Sequence, residues 1–64
     1  MRKYFVIDKA NLKSAIFLLA KDEINLTYRF IDLSDDSILP IRFKSVAQAL
    51  NWLDIGYEWD LVEF

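Results

Sequence analysis

Few side chains in this sequence are able to do chemistry. It has no histidine and no cysteine, which removes thiolate and imidazole nucleophiles, the commonest general base, disulfides, and thiolate- or imidazole-ligated metals. Carboxylates, lysines and tyrosines remain. Glu58 and Asp60 share one face of an extended segment, about 6–7 Å apart by the strand rise. Paired carboxylates at such a spacing are able to perform acid–base work, but the pair reads more simply as two solvated charges on a strand's outer face. Asp32-Leu33-Ser34-Asp35-Asp36 begins like a calcium loop. Ser37 stands where an EF-hand needs glycine, however, and Phe43 where it needs the bidentate glutamate, so a β-turn is preferred. The only glycine, Gly56, leaves no glycine-rich phosphate loop. With no cofactor or metal site in view, the chain is read as non-enzymatic.

The elements that would carry these residues follow from periodicity. Ser45-Val46-Ala47-Gln48 has the S-x-x-Q form of a capping box. Val46, Ala49, Leu50 and Leu53 then repeat at the spacing of one buried helical face, and Gly56 suits a left-handed C-terminal cap. This predicts a helix over 45–55. Tyr57 to Phe64 alternates as a strand, as does Ile24 to Phe30. Ser34-Asp35-Asp36-Ser37 reads as a polar turn whose hairpin partner is Ile38 to Phe43, and residues 2–8 form a further strand. Asn11 to Lys21 is two-sided. Leu12, Ala15, Ile16 and Leu19 keep helical spacing behind a candidate N-cap at Asn11, whereas Phe17 and Leu18 fall off that stripe. Read as extended chain, the segment is a central strand buried on both faces. Aligning Asn11 with Ser45 matches its apolar positions to those of the second helix and favours helix.

The resulting reading is one α+β domain over 1–64: a small antiparallel sheet with helices on one face, in the ferredoxin-like order β-α-β-β-α-β. Pro40 conflicts with a central third strand there. The alternative is a β-meander with a single helix before the last strand.

Bulk properties narrow the partner. At 64 residues a domain buries only about 60% of its unfolded surface, and with no disulfide or thiolate–imidazole metal to staple it, a dense core or self-association must compensate. The 55% hydrophobic share points the same way. Eight basic residues against ten acidic, a net −2, lack the cationic cluster of a phosphate-binding surface. No signal-peptide core follows Met1-Arg2-Lys3, and the longest apolar run, Ala15 to Ala20, is far too short for a bilayer. A cytoplasmic protein is expected, with no membrane or metal partner.

Residues 41–62 carry Ile41-x-Phe43-x-Ser45-x-x-x-Ala49-Leu50-Asn51-x-Leu53, then Gly56, Trp59 and Val62. This resembles the C-terminal strand-helix-strand of small, largely uncharacterised bacterial and phage α+β proteins, in which an F-x-S-x-x-x-A-L-N helix runs into G-W-E-(L/F)-V. Here Tyr57 and Glu58 split the Gly-Trp pair. The resemblance supports the helix-strand reading and implies no site residues.

The function expected is therefore a protein-binding or regulatory module, of the kind phages and mobile elements encode as inhibitors or adaptors, or a self-associating homodimer. If Phe5, Ile7, Leu26, Tyr28, Phe30, Ile41, Phe43, Trp59 and Leu61 pack on the helices, the sheet's other face presents Tyr4, Val6, Thr27, Arg29, Ile31, Ile38, Arg42, Glu58, Asp60 and Val62. That mixture of apolar, tyrosine and arginine side chains suits an interface. On the helices, Leu18 and Trp52 lie off their core stripes, so both are candidate contact residues. The second option is a nucleic-acid-binding domain on the open sheet face, for which Tyr4 is the only well-placed stacking aromatic.

Overall fold

The computed structural model describes residues 2–62. Five strands and one helix follow in the order β1 (Arg2–Asp8), β2 (Ser14–Asp22), β3 (Thr27–Asp32), β4 (Ser37–Ile38), α1 (Val46–Gly56) and β5 (Tyr57–Val62). The sheet order is β4-β3-β2-β1-β5, with every neighbouring pair antiparallel. The first four strands are a meander. The helix then carries the chain from one edge of the sheet to the other, where β5 pairs with β1. This is the single-helix plan, and the ferredoxin-like order is not formed. Residues 63 and 64 of the expected last strand lie outside the described residues.

The correction centres on residues 11–21. Residues 14–22 form β2, the middle strand of five. An unbroken apolar run fits a strand covered on both sides, whereas a helix needs one polar face. Phe17 and Leu19 point into the core, while Ile16 and Leu18 point away from it. The first turn also favours the hairpin. The Asp8 carboxylate accepts from the Ala10 N–H at 2.7 Å, Leu12 takes a left-handed φ of 59°, and its N–H donates to the Asp8 carbonyl at 2.8 Å.

The same device closes all three hairpins. Asp22 and Asp32 likewise accept through Oδ1 from the backbone N–H two residues on, Ile24 and Ser34. In each case the residue four positions after the aspartate is left-handed: Leu12, Leu26 and Asp36. Aspartate tolerates that conformation, but a leucine there is strained by its Cβ. A chain with one glycine therefore builds its turns from Asx caps.

Pro40 sits on an edge, as its missing N–H requires. β4 ends at Ile38, and the Leu39 N–H still reaches the Phe30 carbonyl. Residues 40–42 then bulge outward, and Phe43 rejoins β3 through two bonds with Tyr28. The Arg29 guanidinium crosses this gap to donate to the Leu39 carbonyl at 3.2 Å.

The helix starts as expected. Ser45 Oγ accepts from the Gln48 N–H, and Gln48 Oε1 accepts from the Lys44 N–H, so the capping box closes one residue further out than its usual form. It ends differently. Gly56 is the last helical residue, no glycine has positive φ, and Tyr57 is an extended C-cap. The chain turns directly from helix into β5.

One face of the sheet packs on this helix. Tyr4, Val6, Phe17, Leu19 and Phe30 from the strands meet Phe43, Ala49 and Leu53, with Ala15, Tyr28, Leu39, Val46, Leu50, Trp52, Tyr57 and Trp59 around them. Aromatic rings dominate: Phe30 touches Tyr4, Phe17, Phe43 and Trp52 at centroid distances of 5.7–6.4 Å.

Candidate functional site

Each strand has two faces, and one helix covers only one side of this sheet. The registers define the uncovered side. Val62, Lys3, Leu18, Ile31 and Ile38 form one row across the five strands. Asp60, Phe5 and Ile16 form the next row, and Glu58, Ile7 and Ser14 the one beyond it. Ala20 and Arg29 lie at the other end. None of these side chains belongs to the core cluster. Phe5 is 41% exposed and Ile38 55%, while Ile7, Ile16, Leu18, Ile31 and Val62 are half-exposed. An antiparallel sheet facing water normally carries polar residues on that side. Here the middle of the face is aliphatic and aromatic.

Polar groups frame the patch. Glu58 and Asp60 stand exposed on β5. At the opposite corner are Arg29 and Arg42, the latter 3.2 Å from Asp22 Oδ2. Asp22 is held down to about 2 from an ordinary 3.8, chiefly by the side-chain amide of Asn25 and then by the Asn25 backbone N–H. The Ile24 N–H and the Arg42 guanidinium lower it further against a modest desolvation effect. Its carboxylate therefore stays ionised at neutral pH. A shallow hollow of about 190 Å³, lined by Ala20, Lys21, Asp22, Arg29, Ile31 and Ile38, lies at this corner. A second of about 190 Å³, lined by Phe5, Ile7, Glu58, Trp59 and Asp60, lies at the acidic one.

Of the residues expected to contact a partner, Leu18, Arg29, Ile31, Glu58 and Asp60 share this face, with Arg42 at its margin. Tyr4 and Trp52 do not. Tyr4 is 1% exposed, because β1 turns its even-numbered side chains to the helix. Tyr4 and Val6 are core, and Phe5 and Ile7, expected inside, face out. Trp52 is half-buried and packs on Phe30, Phe43 and Tyr57, so it closes the rim of the core. Leu18 is on the face, but as a strand residue and not a helical one. Leu26, Ile41 and Leu61, also expected inside, are exposed: Leu26 is a turn residue, Ile41 sits in the bulge, and Leu61 on β5 stands outside the core cluster. Phe5, Ile7 and Ile16 were missed. Their signal was the apolar character of both parities in residues 4–7 and 15–20.

Among the described residues no three histidine, cysteine, aspartate or glutamate side chains are grouped to hold a metal ion. A cleft of about 220 Å³ at one end of the sheet is lined in part by Asp8, Lys13, Asp32 and Tyr57. Burial, and then the charges of Asp8 and Asp32, raise the Tyr57 phenol above its ordinary 10, so it stays protonated and neutral there. Tyr4, the aromatic expected to stack on bases, is buried, and the aromatic on this face is Phe5. No described helix is long and apolar enough to cross a membrane. No protein-family model, curated protein or solved structure matches this chain.

Proposed function

We propose that the chain is a non-enzymatic protein-binding module of regulatory type that engages its partner through the open face of the sheet. The observation that carries this reading is the row Val62–Lys3–Leu18–Ile31–Ile38, apolar at four of its five positions, with Phe5 and Ile16 beside it. Side chains in such a patch contribute to binding by leaving water, at about 25 cal/mol per Å² of apolar area removed. The flanking charges set orientation and exclude mismatched partners. A central aromatic such as Phe5, ringed by aliphatic groups, has the composition of an interface anchor.

The test is affinity capture with the purified chain against a Leu18→Lys/Ile31→Lys variant, each checked for folding by circular dichroism. Neither side chain belongs to the core cluster, so the variant is expected to fold and to lose the captured partner. An Ile55→Lys control, on the exposed end of the helix, is expected to retain it. If the folded face variant captures the same partner as wild type, the face is not the binding site.

A further inference from the structure

We infer that the hollow on the helix side of the sheet, beside the start of α1, binds a small amphipathic carboxylate: an anionic head on a short apolar body. The site is separate from the open face and stands or falls independently of the binding reading above.

The registers assemble it. Arg2 pairs with Leu19 across β1 and β2, and Lys21 with Tyr28 across β2 and β3. Leu19 points into the core, and strand alternation places Lys21, two residues on, on the same side. Arg2, Leu19, Lys21 and Tyr28 therefore share the helix side of the sheet. With Val46, the first residue of α1, they line a hollow of about 280 Å³.

The hollow is divided into an apolar floor and a cationic rim. Leu19 is buried, and Tyr28 and Val46 are half-buried and packed against the core. Arg2 and Lys21 are exposed, and neither side chain makes an ion pair or hydrogen bond with another described residue. As diagonal neighbours on antiparallel strands they stand about 7–8 Å apart at the backbone. One carboxylate between them is able to accept from both, taking the two-pronged geometry that a guanidinium offers.

No acidic side chain takes that place. The lining residues carry two positive charges and no negative one, and the first turn of α1 holds no acidic residue. Of the acidic residues that follow Lys21, Asp22 is held by Ile24, Asn25 and Arg42. Glu23 lies exposed in the β2–β3 turn.

The occupant follows from this division. A nucleic-acid backbone needs a longer cationic track than two side chains. An uncharged apolar molecule leaves the two cations without a counter-charge, and a bare anion leaves the floor wet. A short organic acid answers both, its head between Arg2 and Lys21 and its body over Leu19, Val46 and the Tyr28 ring. The volume, at the lower end for small-molecule sites, limits that body to a few carbons.

The experiment is titration of the isotope-labelled chain, followed by amide NMR shifts, with hexanoate, hexanol and inorganic phosphate. Hexanoate is expected to saturate at about millimolar concentration and to shift the amides of Arg2, Leu19, Lys21, Tyr28 and Val46. Hexanol and phosphate, each with half of the chemistry, are expected to bind about tenfold more weakly. Arg2→Glu and Lys21→Glu, folded by circular dichroism, are expected to weaken hexanoate by about tenfold, whereas Ile38→Lys on the open face leaves it unchanged. Lys21 also borders the hollow at the open-face corner, so the Arg2 variant fixes the location. The absence of a saturable shift overturns the inference. So does equal binding of hexanol or phosphate, or full binding of hexanoate to folded Arg2→Glu.

Discussion

Tyr4 and Trp59 meet edge to face across the β1–β5 pair, ring centroids 5.3 Å apart and planes at 88°. This contact turns the even-numbered side chains of β1 inward and thereby puts Phe5 and Ile7 on the open face. It also has a cost, because the Tyr4 hydroxyl is buried without a hydrogen-bond partner. An unsatisfied buried hydroxyl costs about 1–3 kcal/mol. Tyr4→Phe keeps the ring and removes that group. It is expected to raise stability by about 1 kcal/mol, read as a higher urea midpoint at unchanged slope.

Trp52 gives the opposite result. Its ring lies within 5.8 Å of the Phe30, Phe43 and Tyr57 centroids. Trp52→Lys is expected to cost on the order of 3 kcal/mol, a large share of what a domain this small has. Circular dichroism should show a partly or wholly unfolded variant, whereas Leu18→Lys keeps the native spectrum.

Leu26 has a φ of 55° and is 67% exposed, so its side chain gains little from packing while its backbone is strained. Leu26→Asn is expected to stabilise by about 1 kcal/mol, since asparagine tolerates the left-handed region. The check is thermal unfolding of the variant beside Leu12→Asn, which carries the same strain at φ 59° and should shift in the same direction.

Gly56 is helical, and a Cβ placed there meets nothing within 4 Å. Gly56→Ala is therefore expected to stabilise by about 0.5–1 kcal/mol through the restricted unfolded chain and better helix propensity. A left-handed cap, as the sequence suggests at this position, would make the same substitution destabilising, so the sign of the change separates the two.

Asp22 adds a pH dependence at the acid end. Its carboxyl is depressed to about 2 in the folded chain, so the unfolded chain binds its proton first as pH falls. The stability it contributes is complete above the ordinary carboxylate value near 4 and is lost as pH falls from there through about 2. A carboxyl-carbon NMR titration should place Asp22 below the other aspartates. Asp22→Asn should flatten part of the stability profile in that window.

Much of the local structure was legible in the residues themselves. The Ser45–Gln48 box and the Val46, Ala49, Leu50, Leu53 stripe located the helix, because capping and periodicity act within a few residues. Alternation from Tyr57 onward located β5 for the same reason, whereas the alternation read over Ile24 to Phe30 set β3 about one turn too early, because residues 24–26 belong to the turn before Thr27–Asp32. The absence of histidine and cysteine excluded whole classes of chemistry without reference to any fold.

What only the tertiary structure decided was pairing and facing. Residues 15–20 are apolar at every position, so no periodic signal separated strand from helix; their place in the middle of the sheet, with neighbours on both edges, did. β1 is apolar at both parities, and its orientation depended on which side chains met Trp59 and Phe30, contacts made between residues far apart in sequence. The candidate site is the remainder of that choice. One helix of eleven residues covers one face, and the apolar side chains facing the other way became a surface.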